Sequence, residues 1–431
     1  MKTSPGNTNF GLNNKFYMLS QNNLKTVQVA TRNQKLEARL AFFKKAILTN
    51  ELTYMRTIVS AADREVTIKE KPTGKLRKML MFASNNYLGL ATHPHVVASV
   101  KKAIDNYGCG IGGPPLLNGY IKLIEETEER LAALKGKEAA LLFSSGFMAN
   151  LGAVTALAQA NDVIIYDELS HASFYDGIKL TKARAVMFPH NNLLALEAKL
   201  AMHSDCSGSA FVCVEGVYSM DGNIARLDLI AAICKKYKAI LIVDDAHGTG
   251  VLGEGGRGTA SLLNCSNDVD ITMGTFSKVF ATCGGFLIGS GDMINYLRFH
   301  ARPYVFSASI PPTVVAAVLG GLDVMEQEPW LRLQLLNNAQ YAIKKLEPFG
   351  FCATPEAAII ALKLPEGMNI RKASWLFHEK NIFINPIEYP AVPISRQRFR
   401  ISLMATHTKE DINKLAEAVE EVWNDSNAYT F

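Results

Sequence analysis

The chain has 431 residues, 48% of them hydrophobic and 20% charged, with a formal net charge of +5. That make-up is globular and long enough for two or three domains. Lys and Arg alternate with Asp and Glu, so nucleic acid is not expected as a partner, and no apolar run reaches bilayer-spanning length.

Residues 1–34 have no clear period and read as a weakly ordered arm. The next stretch, 35–48, spaces Leu36, Leu40, Phe43 and Ile47 helically, with Lys and Arg elsewhere. It predicts a helix packed on the body or on a partner subunit. The second reading is a basic helix in peripheral contact with a membrane surface. From about residue 90 short apolar runs alternate with helical stretches. Runs at 139–143, 163–166, 211–214, 240–243, 271–273 and 286–288 predict buried strands, with helices at 120–134 and 228–237 among them. Such alternation belongs to an α/β fold, a mainly parallel sheet covered by helices on both faces. Beyond Pro329 a helix at 331–346 leads into strands at 359–364 and 399–403, the pattern of a smaller α+β domain. The expected division is an N-terminal arm and helix (1–89), a large ligand-binding domain (90–330) and a small C-terminal domain (331–431).

The seven cysteines stand singly, with no CxxC pair and no Cys/His cluster of zinc spacing, so no metal is expected. The N-terminus is polar and Asn-rich instead of an apolar signal segment. Reduced thiols and a cytoplasmic location are the expectation.

The chemistry-bearing motifs follow the predicted strands. Met273–Lys278 (MGTFSK) puts a lysine just past a strand among Gly, Ser and Thr. Burial there would lower the amine's pKa and make it a nucleophile. Thr275 and Ser277 offer hydroxyls to a phosphate at the same turn. In Ile240–Gly250 (ILIVDDAHGTG), Asp244 stands at a strand's carboxyl end, where open α/β sheets bind ligands. A carboxylate there keeps a pyridinium nitrogen protonated, and His247 follows within reach of a phenolate oxygen or the substrate. In SSGFMAN, small residues Ser145 and Gly146 open a helix whose N–H groups suit a phosphate. DELSHAS carries His171, able to stack on a flat ring, and EGVYSMDG carries Ser219, a hydrogen-bond donor. Taken singly, these have ordinary alternatives: a surface lysine, an N-cap aspartate, a core histidine. Five strand ends together suit one flat, phosphorylated, pyridinium-bearing ligand, pyridoxal 5'-phosphate (PLP), with its Schiff base on Lys278.

With these motifs in hand, the sequence resembles the α-oxoamine synthases among the fold-type I PLP-dependent transferases. The resemblance runs from about residue 80 to 422 through SNNYLGL, FSSGFMANLG, DELSHAS, EGVYSMDG, VDDAHGTGVLGEGGRG, MGTFSK, RPYVFSAS and NPIEYPAVP followed by RFRISLMATHT. The last block and MGTFSK look most like bacterial serine palmitoyltransferases. The resemblance implies Lys278 as the Schiff-base lysine and base, Asp244 at the pyridine nitrogen and His171 on the ring. It implies Ser219 and His247 near O3', and Ser145, Gly146, Phe147, Thr275 and Ser277 lining the phosphate side. Ser307 and Ser309 are implied to come from the partner of a homodimer with shared active sites, and Asn85 and Arg400 to hold the substrate carboxylate. The implied reaction is a decarboxylative condensation of an amino acid, L-serine first, with a long-chain acyl-CoA or acyl-carrier-protein thioester. Within the family the alternatives are alanine with a dicarboxylic acyl thioester, as in 8-amino-7-oxononanoate synthase, or glycine with a short one, as in glycine C-acetyltransferase; a plain PLP aminotransferase is the alternative from another reaction class. One departure stands out: where many relatives carry Gly-Ser-Arg, this chain has Gly113-Pro114-Pro115-Leu116-Leu117-Asn118-Gly119. The missing arginine bears on the choice of acyl donor or amino acid.

Overall fold

Residues 57–81, inside the expected arm, alternate apolar and polar side chains and form strands. These are β1 (Thr57–Ile58), β2 (Glu65–Lys69) and β3 (Leu76–Met81), each antiparallel to the next, with Val66, Ile68, Met79 and Met81 buried. The computed structural model describes residues 53–429 apart from Pro72, Asp205, Cys206 and Pro390, together with Gln34, Leu36, Glu37, Leu40 and Ala41. Those five are helical, and Leu36 and Leu40 are exposed. Most of the helix expected at 35–48, and the arm before it, lie outside the described residues.

The central sheet follows the predicted apolar runs. Its strands are β4 (Ala139–Phe143), β5 (Val163–Asp167), β6 (Arg184–Phe188), β7 (Ala210–Glu215), β8 (Ile240–Asp244), β9 (Ile271–Thr275) and β10 (Gly285–Gly289), in the order β4-β10-β9-β8-β7-β5-β6. All pairings are parallel except those of β10. Because β10 runs against both neighbours, β4 points the same way as β9. The carboxyl ends of β4, β5, β7, β8 and β9 therefore share one edge, which is where ligands bind in open α/β sheets. β6 was not among the predicted strands. It is an edge strand with largely exposed side chains, so it lacks the apolar run of a buried parallel strand.

Helices cover the sheet: α1 (Pro94–Tyr107), α2 (Lys122–Lys135), α3 (Gly146–Leu157), α4 (Ala172–Leu180), α5 (Leu193–Ala201), α6 (Leu227–Lys236), α7 (Gly291–His300) and α8 (Pro312–Gln327). The helix expected at 120–134 is α2, and that at 228–237 is α6. On one face α3, α4 and α7 enclose Phe143, Ala153, Phe174 and Leu297; on the other α5 and α6 enclose Val212, Leu196, Ile230 and Val243. Each of the larger side chains among them contributes about 1.5–3 kcal/mol by leaving water. Past α9 (Trp330–Leu346) come β11 (Ile359–Lys363), α10 (Ile370–Glu379), β12 (Ile382–Phe383), β13 (Asn385–Ile387), β14 (Arg398–Ser402) and α11 (Lys409–Asn424). β11, β14 and β13 form a small antiparallel sheet, and β12 joins β3 in parallel.

Candidate active site

Asp244 ends β8 with its side chain 4% exposed. Asn150, inside α3, donates from Nδ2 to Asp244 Oδ2 at 2.7 Å, and the Ala246 N–H donates to Oδ1 at 3.1 Å. These two donors fix the orientation of the carboxyl group. The same Asn150 Nδ2 reaches Ser173 Oγ at 2.9 Å, and Ser173 Oγ lies 2.8 Å from His171 Nδ1. His171 caps α4 and keeps its ring exposed, with Phe147 edge-on at 6.2 Å.

Lys278 follows β9 on a tight turn and is partly buried. Burial holds its amine below the ordinary lysine range, with Arg400 acting the same way, against the pull of Asp244 and Glu215. Thr275 Oγ1 lies 2.9 Å from Ser277 Oγ and donates to the Gly284 carbonyl at 3.0 Å. Across from them Ser145 caps α3, accepting from the Met148 N–H at 3.2 Å. A Cβ added to Gly146 would lie 3.0 Å from Thr275 Cβ, and one added to Gly285 would lie 2.5 Å from the Gly146 backbone. Only bare backbone lets the start of α3 come down beside β9 and β10, with its free N–H groups at the carboxyl edge.

His247 is 5% exposed, and its Nδ1 meets the Tyr87 hydroxyl at 2.6 Å. Burial holds the imidazole well below its usual pKa, with Lys278 and Arg400 adding to the effect, and pushes the Tyr87 phenol up to about 12. Phenol and ring are both neutral, and one short hydrogen bond joins the hydroxyl to Nδ1. Arg400, on β14 and 5% exposed, reaches Asn85 Oδ1 from both Nη1 and Nη2 at 3.2 Å, and its Nε donates to the Ser219 carbonyl at 2.6 Å.

Lys278, Asp244, His171, His247, Arg400, Asn85 and Ser219 are thus brought together, although Asn85 and Arg400 are 315 positions apart. Ser307 and Ser309 line a cleft with Pro115, Ser144 and Pro303. There Ser309 donates from Oγ to the Gly119 carbonyl at 2.7 Å and from N to that of Gly113 at 2.9 Å. The arginine-lacking segment forms a wide turn, Pro115–Gly119, with Leu117 82% exposed. Among the described residues no cluster of metal-binding side chains occurs. Sequence reasoning missed Asn150, Tyr87 and Glu215. All three fall inside the quoted motifs, but nothing local marks their partners.

The aminotransferase class I and II family model matches residues 77–419. The chain belongs to this family. It is 39% identical to serine palmitoyltransferase of Sphingobacterium spiritivorum, over 90% of this chain and 97% of that protein. It is 38% identical to 8-amino-7-oxononanoate synthase of Thermoanaerobacter pseudethanolicus, over 84% of this chain and 94% of that protein. Among solved structures, Sphingomonas wittichii serine palmitoyltransferase superposes with a TM-score of 0.84 at 34% identity, covering 91% of this chain and 98% of that one. A high-resolution structure of SPT with PLP superposes at 0.83 and 30% identity, covering 91% and 98%. The fold is that of the fold-type I PLP-dependent transferases, and the chain is a PLP-dependent enzyme of the α-oxoamine synthase type. The site fits that cofactor: an anchored buried carboxylate for a pyridinium nitrogen, an exposed imidazole face for a ring, and a helix start pressed against Thr275 for a phosphate.

Proposed function

We propose that the chain condenses an amino acid, L-serine first, with a long-chain acyl thioester and releases carbon dioxide and a thiol. One observation carries the reading: Arg400 stands beside the Lys278–Asp244 pair with a guanidinium that the fold orients through Asn85 and Ser219 but leaves without a carboxylate partner among its hydrogen bonds. That is the requirement for holding an α-amino acid by its carboxylate. The apolar turn Pro115-Leu116-Leu117, with Leu117 82% exposed, favours a hydrophobic acyl donor.

Bound PLP supplies the electron sink that lets a carbanion form at the amino acid's α-carbon. Asp244 would keep PLP's pyridine nitrogen protonated, and Lys278 would serve as the base that takes the amino acid's α-proton. Its lowered pKa raises the share of free amine above that of an ordinary lysine. His171 would cover one face of the ring, and His247 and Ser219 would contact its O3' side. Ser145, Gly146, Phe147, Thr275 and Ser277 would hold the phosphate. Arg400 and Asn85 would hold the amino acid's carboxylate and set its orientation at the site. A bond forms from the α-carbon to the acyl carbonyl carbon and the C–S bond breaks, the thiolate leaving to take a proton from solvent. The carboxylate departs as carbon dioxide, and the electron pair it leaves on the α-carbon takes back the proton held by Lys278.

The reading includes a homodimer in which Ser307 and Ser309 face the partner's site; the exposed Leu117 and Phe306 beside them are apolar surface that a partner would cover. It also keeps the division at residues 89 and 330 and a cytoplasmic setting, consistent with six free cysteines among the described residues. No helix among the described residues is long and apolar enough to cross a membrane.

The near-equal likeness to an 8-amino-7-oxononanoate synthase favours a second reading with the same chemistry, alanine plus a dicarboxylic acyl thioester. Serine labelled at its carboxyl carbon separates condensation from transamination. Condensation sends the label into carbon dioxide, one per thiol released, whereas an aminotransferase retains it in a keto acid and releases no thiol.

A further inference from the structure

Glu215, the last residue of β7, is 3% exposed and has no part in the chemistry above. It stands in register with Asp244 on the neighbouring parallel strand, so the two side chains leave the same face of the sheet with their strands about 4.8 Å apart. The two carboxyl groups are provided for unequally. Asp244 has the Asn150 amide and the Ala246 N–H. Glu215 Oε2 accepts from the Ser219 N–H at 3.3 Å, and Oε1 is buried without a partner among the described residues. Adjacent buried carboxylates resist double ionisation, and the shared proton settles on the one with fewer donors. That one is Glu215. Burial first, then Asp244, holds its carboxyl well above the ordinary carboxylate range.

The carboxyl also braces a second group. Ser219, whose N–H it accepts, offers its carbonyl to Arg400 Nε at 2.6 Å. A single peptide segment therefore joins Glu215 to the guanidinium that meets the substrate.

We propose that Glu215 is a proton-bearing positioning residue that fixes the Ser219 turn and, through it, the aim of Arg400 at the amino acid's carboxylate. This rests on the condensation reading above, in which Arg400 holds that carboxylate. Glu215 does not touch the reacting atoms, so its loss shows in amino-acid affinity and leaves the bond-making step nearly intact. A neutral side chain of the same shape replaces it, because the carboxyl works without its charge.

The test uses PLP-loaded enzyme and three variants. Glu215→Ala raises the amino-acid KM about 10-fold, with kcat changed less than about threefold and PLP affinity, read by absorbance titration, lowered less than about threefold. Glu215→Gln stays within about twofold of wild type. Glu215→Met keeps the volume without a hydrogen-bonding group and serves where the alanine variant does not fold. In an Arg400→Lys background the Glu215→Ala change adds less than about twofold, because both act on one contact. An unchanged KM, a Gln variant as impaired as the Ala variant, or full additivity with Arg400→Lys overturns the proposal. Wild type is assayed first against a set of amino acids. If none gives saturable turnover, the condensation reading itself falls, and this one with it.

Discussion

Asn150 Nδ2 lies 2.7 Å from Asp244 Oδ2, and the same nitrogen lies 2.9 Å from the Ser173 hydroxyl that holds His171. One buried amide thus links Asp244, proposed for the cofactor nitrogen, to His171, proposed for the face of its ring. Replacing Asn150 by Ala removes a hydrogen bond to a charged group, a loss of about 1.5–3 kcal/mol. Absorbance titration of the apoprotein with PLP should show about 10- to 100-fold weaker binding. Asn150→Asp, which sets a second acid against Asp244, should bind more weakly still.

Lys278 is assigned the α-proton. Lys278→Ala should lower thiol release by about 10²–10⁴-fold, the usual weight of a positioned base. The variant should still retain PLP without a covalent bond, because Asp244 and the start of α3 are untouched. Equilibrium dialysis and the absence of borohydride-fixed cofactor check both halves.

Arg400 presents a planar fork that lysine cannot copy. Arg400→Lys should raise the amino-acid KM about 10-fold or more while leaving the KM for the acyl thioester within about twofold. Equal changes in both constants would place Arg400 outside the amino-acid subsite.

How far the molecule could be read from its residues follows from where the information lies. Strands β4, β7, β8 and β9 were legible because a buried parallel strand is a continuous apolar run, and a polar residue at its carboxyl end stands out. Asp244, Lys278 and Ser219 were singled out that way. Strands β1 to β3 were not, since one is two residues long and the others alternate at an exposed position. Edge strand β6 lacks an apolar run altogether. Tyr87, Asn150 and Glu215 owe their roles to partners across the fold: Tyr87 is 160 positions from His247, and Asn150 is 94 from Asp244. No local spacing records such pairs.

His407 carries a pH prediction for the fold itself. It is 2% exposed; its Nδ1 accepts from the Met404 N–H at 3.0 Å, and its Nε2 lies 3.1 Å from the Met81 carbonyl. Only the neutral ring with the proton on Nε2 satisfies both, and burial holds the pKa at about 4. An unfolded histidine titrates near 6.5, so between that pH and about 4 the unfolded chain binds more protons. Stability is therefore fully present above about 6.5 and falls as pH drops through this window, by up to ~3 kcal/mol. Denaturant melts across the window should show the slope, and His407→Asn should flatten it relative to wild type.

The central claim is a PLP-dependent condensation that takes a hydrophobic acyl donor. Thiol release from PLP-loaded enzyme, over a grid of amino acids against acyl thioesters of rising chain length, tests it most directly. The account predicts release that requires an amino acid, peaks with serine and increases toward long chains. A yellow, PLP-bearing protein that releases no thiol anywhere on the grid, or one that works only with short or dicarboxylic chains, would contradict it.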